Sequence, residues 1–454
     1  MKRLERVYCR AFQGVFRAAL PFMPYREPKI LHSIVQIPDV LQERNISKVL
    51  LVTDESIRGL GLTKHLEEEL QRRSIFCAVY DKVVANPTIQ NIEQARAVYL
   101  KSGAQAIIAF GGGSVMDCAK VTGARIVKPR KPVYKMKGLL RICKPLPLLI
   151  AVPTTAGTGS ETTLAAVITD SGTKHKYPIN DFSLIPQYAV LDYHVTLGLP
   201  KGITATTGMD ALTHAVEAYI GGSTTKQTRF MAEHAVRLIY ENLRKAYEDG
   251  QNKKARAYML EAAYCAGIAF SRSYVGYVHA IAHSLGGQYG VAHGLANAVI
   301  LPYFLEEYGD ACVPQLAKLA RCVGMVPKHT SDRRAAASFI LWVKEMNRYM
   351  QIPEAIKEIR REDIPALSKH AAAEGNPLYP VPVLMDAKEL AGMYEKIMEK
   401  GARQDAEKAG KATGVFSQRK NHSACLPKKG IETLRKSHSS TRKGNLCSTA
   451  RGFE

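Results

Sequence analysis

No stretch of the 454 residues strings together the roughly 20 apolar positions that a membrane-crossing helix needs, so no spanning segment and no membrane partner are expected. Cysteine is sparse and unpatterned. The nine run from Cys9 to Cys447 without a C-x-x-C pair, which argues against a disulfide frame or a Cys-ligated metal and for reduced thiols in a cytoplasmic protein. Tryptophan occurs once, and there is neither an aromatic-plus-basic RNA motif nor zinc-finger spacing. Acidic residues are short against basic ones, giving a formal charge of +22, but the shortage is uneven. Residues 1–30 hold seven Lys/Arg against two acids and residues 401–454 twelve against four, so the two ends carry +13 and residues 31–400 only +9. A nucleic-acid partner is therefore not expected.

The two ends differ in kind. The first thirty residues lack a small-residue cleavage site, and Gln13 and Arg17 break their apolar pattern. A short amphipathic helix packed on the body and ended by Pro21 and Pro24 is expected there rather than a signal peptide. From Gly401 the chain is Lys, Arg, Ser, Gly and Thr with few large apolar residues, and reads as a disordered tail.

What lies between has the 46% apolar and 23% charged composition of a globular protein, and the chain is long enough for two domains plus appendages. K-V-L-L-V-T (48–53), I-F-C-A-V-Y (75–80) and A-I-I-A-F (106–110) read as strands separated by helical stretches, the last of them Ile89 to Ser102. This β-α-β-α-β order predicts a Rossmann-like, doubly wound α/β domain over 31–198. After Leu199-Pro200 strands vanish and Ala-rich helical periodicity persists, which predicts an all-α domain over 199–400, with a cleft between the two.

Two strand-to-helix turns suit phosphate. G-G-G-S-V-M-D-C-A-K (111–120) lets backbone N–H groups approach an anion, with Ser114 as a candidate cap. P-T-T-A-G-T-G-S-E-T-T (153–163) follows the strand L-L-I-A-V and is crowded with Thr hydroxyls. Together they suggest a pyrophosphate-bearing cofactor at the strand ends. Asn86 and Pro87 mark a loop, K-P-R-K-P-V-Y-K-M-K (128–137) reads as a surface loop, and Lys176 reads as a surface lysine.

In the helical half, three of only thirteen histidines fall between His279 and His293. His279 and His283 are i, i+4 on one helix face, and Gly286, Gly287 and Gly290 are expected to interrupt the helix before His293 returns a third imidazole. Asp210 and His214 repeat the i, i+4 device, with Asp210 expected near a helix start where its charge suits the dipole. One carboxylate and up to three imidazoles make a divalent-metal ligand set, and spacing leaves His283 among the candidates.

The motifs G-G-G-S-V-M-D-C-A-K, P-T-T-A-G-T-G-S-E, G-M-D-A-L-T-H-A-V-E, V-H-A-I-A-H-S-L-G and H-G-L-A-N-A, in this order, resemble the iron-containing (group III) alcohol dehydrogenases, whose fold is dehydroquinate-synthase-like. The resemblance runs from about Lys48 to N-P-L-Y-P-V-P-V-L-M at 376–385. It implies Asp210, His214, His279 and His293 as metal ligands, and His283 as a proton-handling residue beside the nicotinamide. It implies Gly112, Gly113, Ser114 and Asp117 along the pyrophosphate and ribose, Thr154, Thr155 and Thr158 on the second phosphate loop, Lys176 at the cofactor ribose, and Asn86 nearby. Asp54 would face the adenosine ribose, where a carboxylate accepts from a 2′-hydroxyl and repels a 2′-phosphate, so NAD is expected over NADP. Ala280 and Ala292 stand where many relatives carry Gly and Pro, small-for-small changes that leave the ligand set intact.

The activity so implied is hydride transfer between a small primary alcohol or diol and NAD, with Fe²⁺ as Lewis acid, in a homo-oligomer, expected to be a dimer. Iron comes from the resemblance alone, since imidazole and carboxylate accept Zn²⁺ as readily. A zinc glycerol dehydrogenase-like enzyme is the nearer alternative. A dehydroquinate-synthase-like cyclase needs Lys and Arg for a substrate phosphate, and segments 208–222 and 278–302 contain none.

Overall fold

The apolar runs of the first half become strands because helices cover both of their faces. The computed structural model describes residues 1–172 and 175–399; the basic tail from Gly401 lies outside the described residues. The strands are β1 (Lys29–Leu31), β2 (Lys48–Val52), β3 (Phe76–Tyr80), β4 (Ala106–Gly111), β5 (Gly138–Leu139), β6 (Leu148–Pro153), β7 (Ala165–Asp170), β8 (His175–Asn180) and β9 (Tyr188–Val190). Six form a parallel sheet in the order β1-β9-β6-β4-β2-β3. β4 and β6 are buried at every position, which is why both read as unbroken apolar runs rather than alternating ones.

Alternate residues of these strands feed two cores. Leu50, Val52, Ile107 and Ala109 pack against α5 (Ile89–Ser102) and α6 (Gly113–Val127). Val49, Leu51, Ile108 and Phe110 pack against α2 (Ile37–Glu43) and α4 (Lys64–Arg72), α3 (Glu55–Gly59) lying between β2 and α4 in the chain. Since β3 lies on one side of β2 and β4 on the other, the winding reverses between β2 and β4, and the crevice above their carboxyl ends is where an open α/β sheet holds its ligand.

The helical half follows as α7 (Lys201–Ile220), α8 (Lys226–Glu248), α9 (Lys253–Ser273), α10 (Tyr277–Tyr289), α11 (His293–Tyr308), α12 (Val313–Cys322), α13 (Asp332–Tyr349), α14 (Ile364–Gly375) and α15 (Ala387–Ile397). From Gly208 to Ile220 every residue of α7 is buried, so this helix is surrounded by its neighbours and its small residues set how closely they approach. A Cβ at Gly208 would fall 2.3 Å from Leu243 on α8.

Several local expectations change. Gly286 and Gly287 lie inside α10, and only Gly290, at φ 71°, ends it; a helix packed on other helices tolerates glycines that an isolated one would not. Asp210 sits mid-helix rather than near a start, so burial and not the dipole governs its charge. The basic run 128–137 is not all surface, since Val133 and Met136 are buried. Lys176 lies on β8, which pairs antiparallel with β7 and parallel with β5 in a second, three-stranded sheet. The N-terminal helix α1 (Arg3–Ala19) forms and packs on the body, followed by a short 3-10 turn at Leu20–Phe22.

Candidate metal centre and nucleotide cleft

The two phosphate-friendly turns meet. β4 runs straight into Gly111, Gly112 and the first turn of α6, and β6 into Thr154 and Thr155, whose neighbour Thr158 folds back. A Cβ at Gly113 would lie 3.0 Å from Thr158 Cγ2, so glycine there lets the loops close up, whereas one at Gly112 would stand in ordinary contact with Thr155 Oγ1 at 3.5 Å. Thr154 N–H donates to Gly111 carbonyl at 3.1 Å, tying them together. Gly112, not Ser114, caps α6 and leaves the first N–H groups free of side-chain caps; Ser114 Oγ instead accepts from Asn86 N–H at 3.3 Å. A helix N-terminus of this kind attracts an anion.

Asp117 is placed differently from a free ribose ligand. Its Oδ1 accepts from Ser160 Oγ at 2.9 Å and its Oδ2 from Val167 N–H at 2.9 Å, so it braces the second loop from below. Beside it the fully buried Lys120 ammonium donates to Ser160 Oγ, Thr163 carbonyl and hydroxyl, and Ala165 carbonyl at 2.8–3.0 Å. Burial pulls Lys120 down to about 8 and pushes the neighbouring Glu161 up to about 7.

Asn86, held at φ 61° in a region that Asn tolerates, accepts from Lys176 Nζ through Oδ1 at 2.8 Å. The pair lines a cleft of about 320 Å³ whose other wall is Gly286, Gly287 and Gly290. Those glycines bring to the cleft the C-terminal end of α10, the helix that carries His279 and His283. Asp54, at the end of β2, caps α3 by accepting from Ile57 N–H at 2.9 Å.

The four predicted ligands converge. One ligand atom from each of Asp210, His214, His279 and His293 lies within 4.8 Å of every other. Two ligands about 2.1 Å from a shared ion stand at most about 4.2 Å apart, so the widest pair would close by at least about 0.6 Å around an ion. α7 contributes Asp210 and His214 from one face, α10 gives His279, and the first residue of α11 is His293, its Nε2 3.6 Å from Asp210 Oδ1. Burial raises the Asp210 carboxyl above its ordinary range and lowers His214, and it holds His279 and His293 well below theirs. Neutral imidazoles keep their lone pairs and a buried carboxylate lacks a counter-charge, so the donor set suits a divalent cation.

Three supporting residues escaped the sequence reading. Glu217, one turn beyond His214 on α7, meets His279 Nδ1 at 2.5 Å, and its other oxygen accepts from Val278 N–H at 2.9 Å. Its spacing from Asp210 and His214 on one helix face was the available signal. Asn297, one turn beyond His293, donates through Nδ2 to Asp210 Oδ1 at 2.6 Å and stands 3.1 Å from His279 Nε2 and His293 Nε2. Glu374 on α14 meets His283 Nδ1 at 2.7 Å and accepts from Tyr379 OH at 2.7 Å. Being 91 residues away from His283, it left no local pattern to read. His283, 23% exposed, stacks 5.1 Å from the His293 ring and carries its free Nε2 at the site's edge.

A nucleotide-type crevice joined to a His₃Asp cradle defines a class of metal-dependent oxidoreductase, and comparison with known proteins agrees. Residues 31–193 match the iron-containing alcohol dehydrogenase family and residues 204–398 the Fe-containing alcohol dehydrogenase family, C-terminal. Alcohol dehydrogenase 4 of Saccharomyces cerevisiae is 35% identical over 342 residues, 75% of this chain and 88% of the relative. The 1,3-propanediol dehydrogenase of Klebsiella pneumoniae is 37% identical over 333 residues, 72% and 86% of the two chains. Among solved structures, 1,3-propanediol oxidoreductase superposes with a TM-score of 0.79 at 34% identity, covering 82% of this chain and 99% of that one. The chain belongs to the iron-containing alcohol dehydrogenases, and is an oxidoreductase acting on CH–OH groups.

Proposed function

We propose that this chain transfers a hydride between a small primary alcohol or diol and NAD, with Fe²⁺ held by Asp210, His214, His279 and His293. The observation that carries the reading is the convergence of those four side chains beside the cleft of Asn86 and Lys176. A bound divalent ion would supply Lewis acidity toward an alcohol or carbonyl oxygen. The chain's own residues do the rest. The glycine turn and the Thr154, Thr155 and Thr158 loop receive the pyrophosphate, Lys176 and Asn86 hold the ribose at the cleft, and Asp54 favours a 2′-hydroxyl.

His283 handles the proton. With Nδ1 bonded to Glu374, its Nε2 keeps the lone pair and accepts the proton released as the alcohol is oxidised, passing it to solvent. The supporting relatives include an NAD-dependent methanol dehydrogenase of Bacillus methanolicus, 33% identical, and a lactaldehyde reductase of Escherichia coli, 34% identical. A homodimer in the cytoplasm acting on free small alcohols or aldehydes completes the reading, the seven described cysteines all being free. The test is anaerobic loading with Fe²⁺, then with Zn²⁺, and NADH fluorescence over a panel of alcohols and aldehydes. Iron-supported NADH formation from a short alcohol is the expected result. NADPH formation at a higher kcat/KM, or unaltered turnover in His279→Ala and His293→Ala, overturns the assignment.

A further inference from the structure

Helix α1 is turned the wrong way round for a helix on a protein surface. Gln13, Arg10 and Arg6 reach toward the body. Gln13, 7% exposed, donates to the carbonyls of Tyr379 at 2.7 Å and Pro377 at 3.1 Å. Arg10 donates to the carbonyls of Val381 and Pro382, both at 2.8 Å. The terminal ammonium pairs with Asp386 and Glu389, Arg6 joins Glu389 at 3.4 Å, and Phe16 sets its ring edge-on to Tyr274 at 5.1 Å. Through these contacts the helix is anchored and its orientation fixed.

The outward face is apolar. Leu4 is 84% exposed, Val7 and Tyr8 each 60%, Val15 73%, and Phe22 just beyond the helix 88%. At 100° per residue, positions 4, 7, 8, 11, 12, 15 and 18 fall on one stripe, all of them Leu, Val, Tyr, Ala or Phe. A surface helix normally buries such a stripe in the core beneath it. Exposed contiguous apolar surface of this kind marks a docking site. Along one border of the stripe run Arg3, Arg10 and Arg17, seven residues apart and so in a row, with Arg6 beside them; Glu5 is the one acid on the helix.

We propose that α1 lies flat on an anionic lipid surface, its apolar stripe and the aromatic rings of Tyr8, Phe12 and Phe22 entering the headgroup boundary while Arg3 and Arg17, the two arginines of the row that Arg10 leaves free of the body, meet the lipid phosphates. The charge decides between occupants. A second copy of the chain would bring one arginine row against another on a protein of net charge +22, whereas an anionic surface complements it. The absence of a spanning helix among the described residues is consistent, because a helix that rests on a membrane need not cross it. The expectation of no membrane partner rested on the lack of a spanning segment and does not bear on this mode. It is independent of the chemistry proposed above.

The full chain is mixed with large unilamellar vesicles of phosphatidylcholine containing 30% phosphatidylglycerol, or of phosphatidylcholine alone, and the bound fraction is read by flotation. Binding to the anionic vesicles that falls with salt, and that drops about tenfold or more in Leu4→Ser/Val15→Ser and in Arg3→Gln/Arg17→Gln, is the expected result. All four positions are exposed and leave the Gln13 and Arg10 anchor intact, so unchanged circular dichroism and solution turnover verify the fold. Equal binding by wild type and both variants would assign the contact to the basic tail and overturn the proposal. So would no binding at all, or an apolar-face variant that alters only the self-association seen by light scattering.

Discussion

His279 turns its Nδ1 onto the buried Glu217 carboxyl at 2.5 Å while its Nε2 faces Asp210, His293 and Asn297. Fixing one ring nitrogen with a carboxylate orients the other and raises its basicity toward a cation. Glu217→Gln should therefore cost roughly 10- to 100-fold in metal affinity, read by competition with a chelator. Gly276→Ala should do the same from the backbone side, since its Cβ would fall 2.6 Å from Glu217 Oε1. Metal binding as tight as wild type in both variants would refute the orienting role.

A second pair governs the proton. Glu374 holds His283 by Nδ1, and Tyr379 holds Glu374. Activity should fall in the order Tyr379→Phe, Glu374→Ala, His283→Ala, within the roughly 10²- to 10⁴-fold range that a positioned acid–base group supplies. KM for NAD should stay near wild type throughout, because none of the three lies on the phosphate turns. Steady-state kinetics with alcohol and NAD each varied would check it, and a Glu374→Ala enzyme as fast as wild type would remove His283's orienting partner from the mechanism.

Much of this site was legible because the i, i+4 rule works wherever two functional groups share a helix: Asp210 with His214, and His279 with His283. The strands were legible for the same reason, since β4 and β6 lie between two helical layers and show it as unbroken apolar runs. Glu374 was not legible, because α14 is brought to α10 by tertiary packing and no sequence spacing encodes that. Lys176 passed for a surface lysine on its local pattern, and only the family resemblance set it at the cofactor, for a related reason: β8 pairs with β7 and β5 outside the main sheet, and so lacks the signal of a doubly covered strand. The face that α1 buries was not legible, because pattern alone says that a helix is amphipathic, not which side the body takes.

Asp54 separates two roles that a single substitution can test. Its carboxylate caps α3 through Ile57 N–H and, in the reading above, disfavours a 2′-phosphate. Asp54→Ser keeps a capping oxygen and removes the charge, so it should leave stability near wild type while raising the NADP to NAD ratio of kcat/KM by about tenfold, some 1.4 kcal/mol. Asp54→Ala should shift the ratio equally but lose about 1 kcal/mol of stability with the cap. An unchanged ratio in both would place the adenosine ribose elsewhere.

Glu161 should make stability depend on pH in an unusual direction. Its side chain is 1% exposed, Oε1 has no hydrogen-bond partner, and burial lifts its pKa from the ordinary 4.5 to about 7 in spite of Lys120 nearby. Between these values the folded protein holds a proton that the unfolded chain has released. The resulting stabilisation is complete below pH 4.5 and is lost as pH rises through about 7, on the order of 3 kcal/mol at most. Lys120 acts in a separate window: its folded pKa of about 8 lies below the ordinary 10.5, so its contribution grows as pH rises between them. Glu161→Gln removes the first limb and keeps the second. Thermal unfolding followed from pH 5 to 9 should show the wild type losing stability relative to Glu161→Gln as pH climbs toward 7, and a constant difference across that range would mean that Glu161 stays ionised in the fold, held by Lys120.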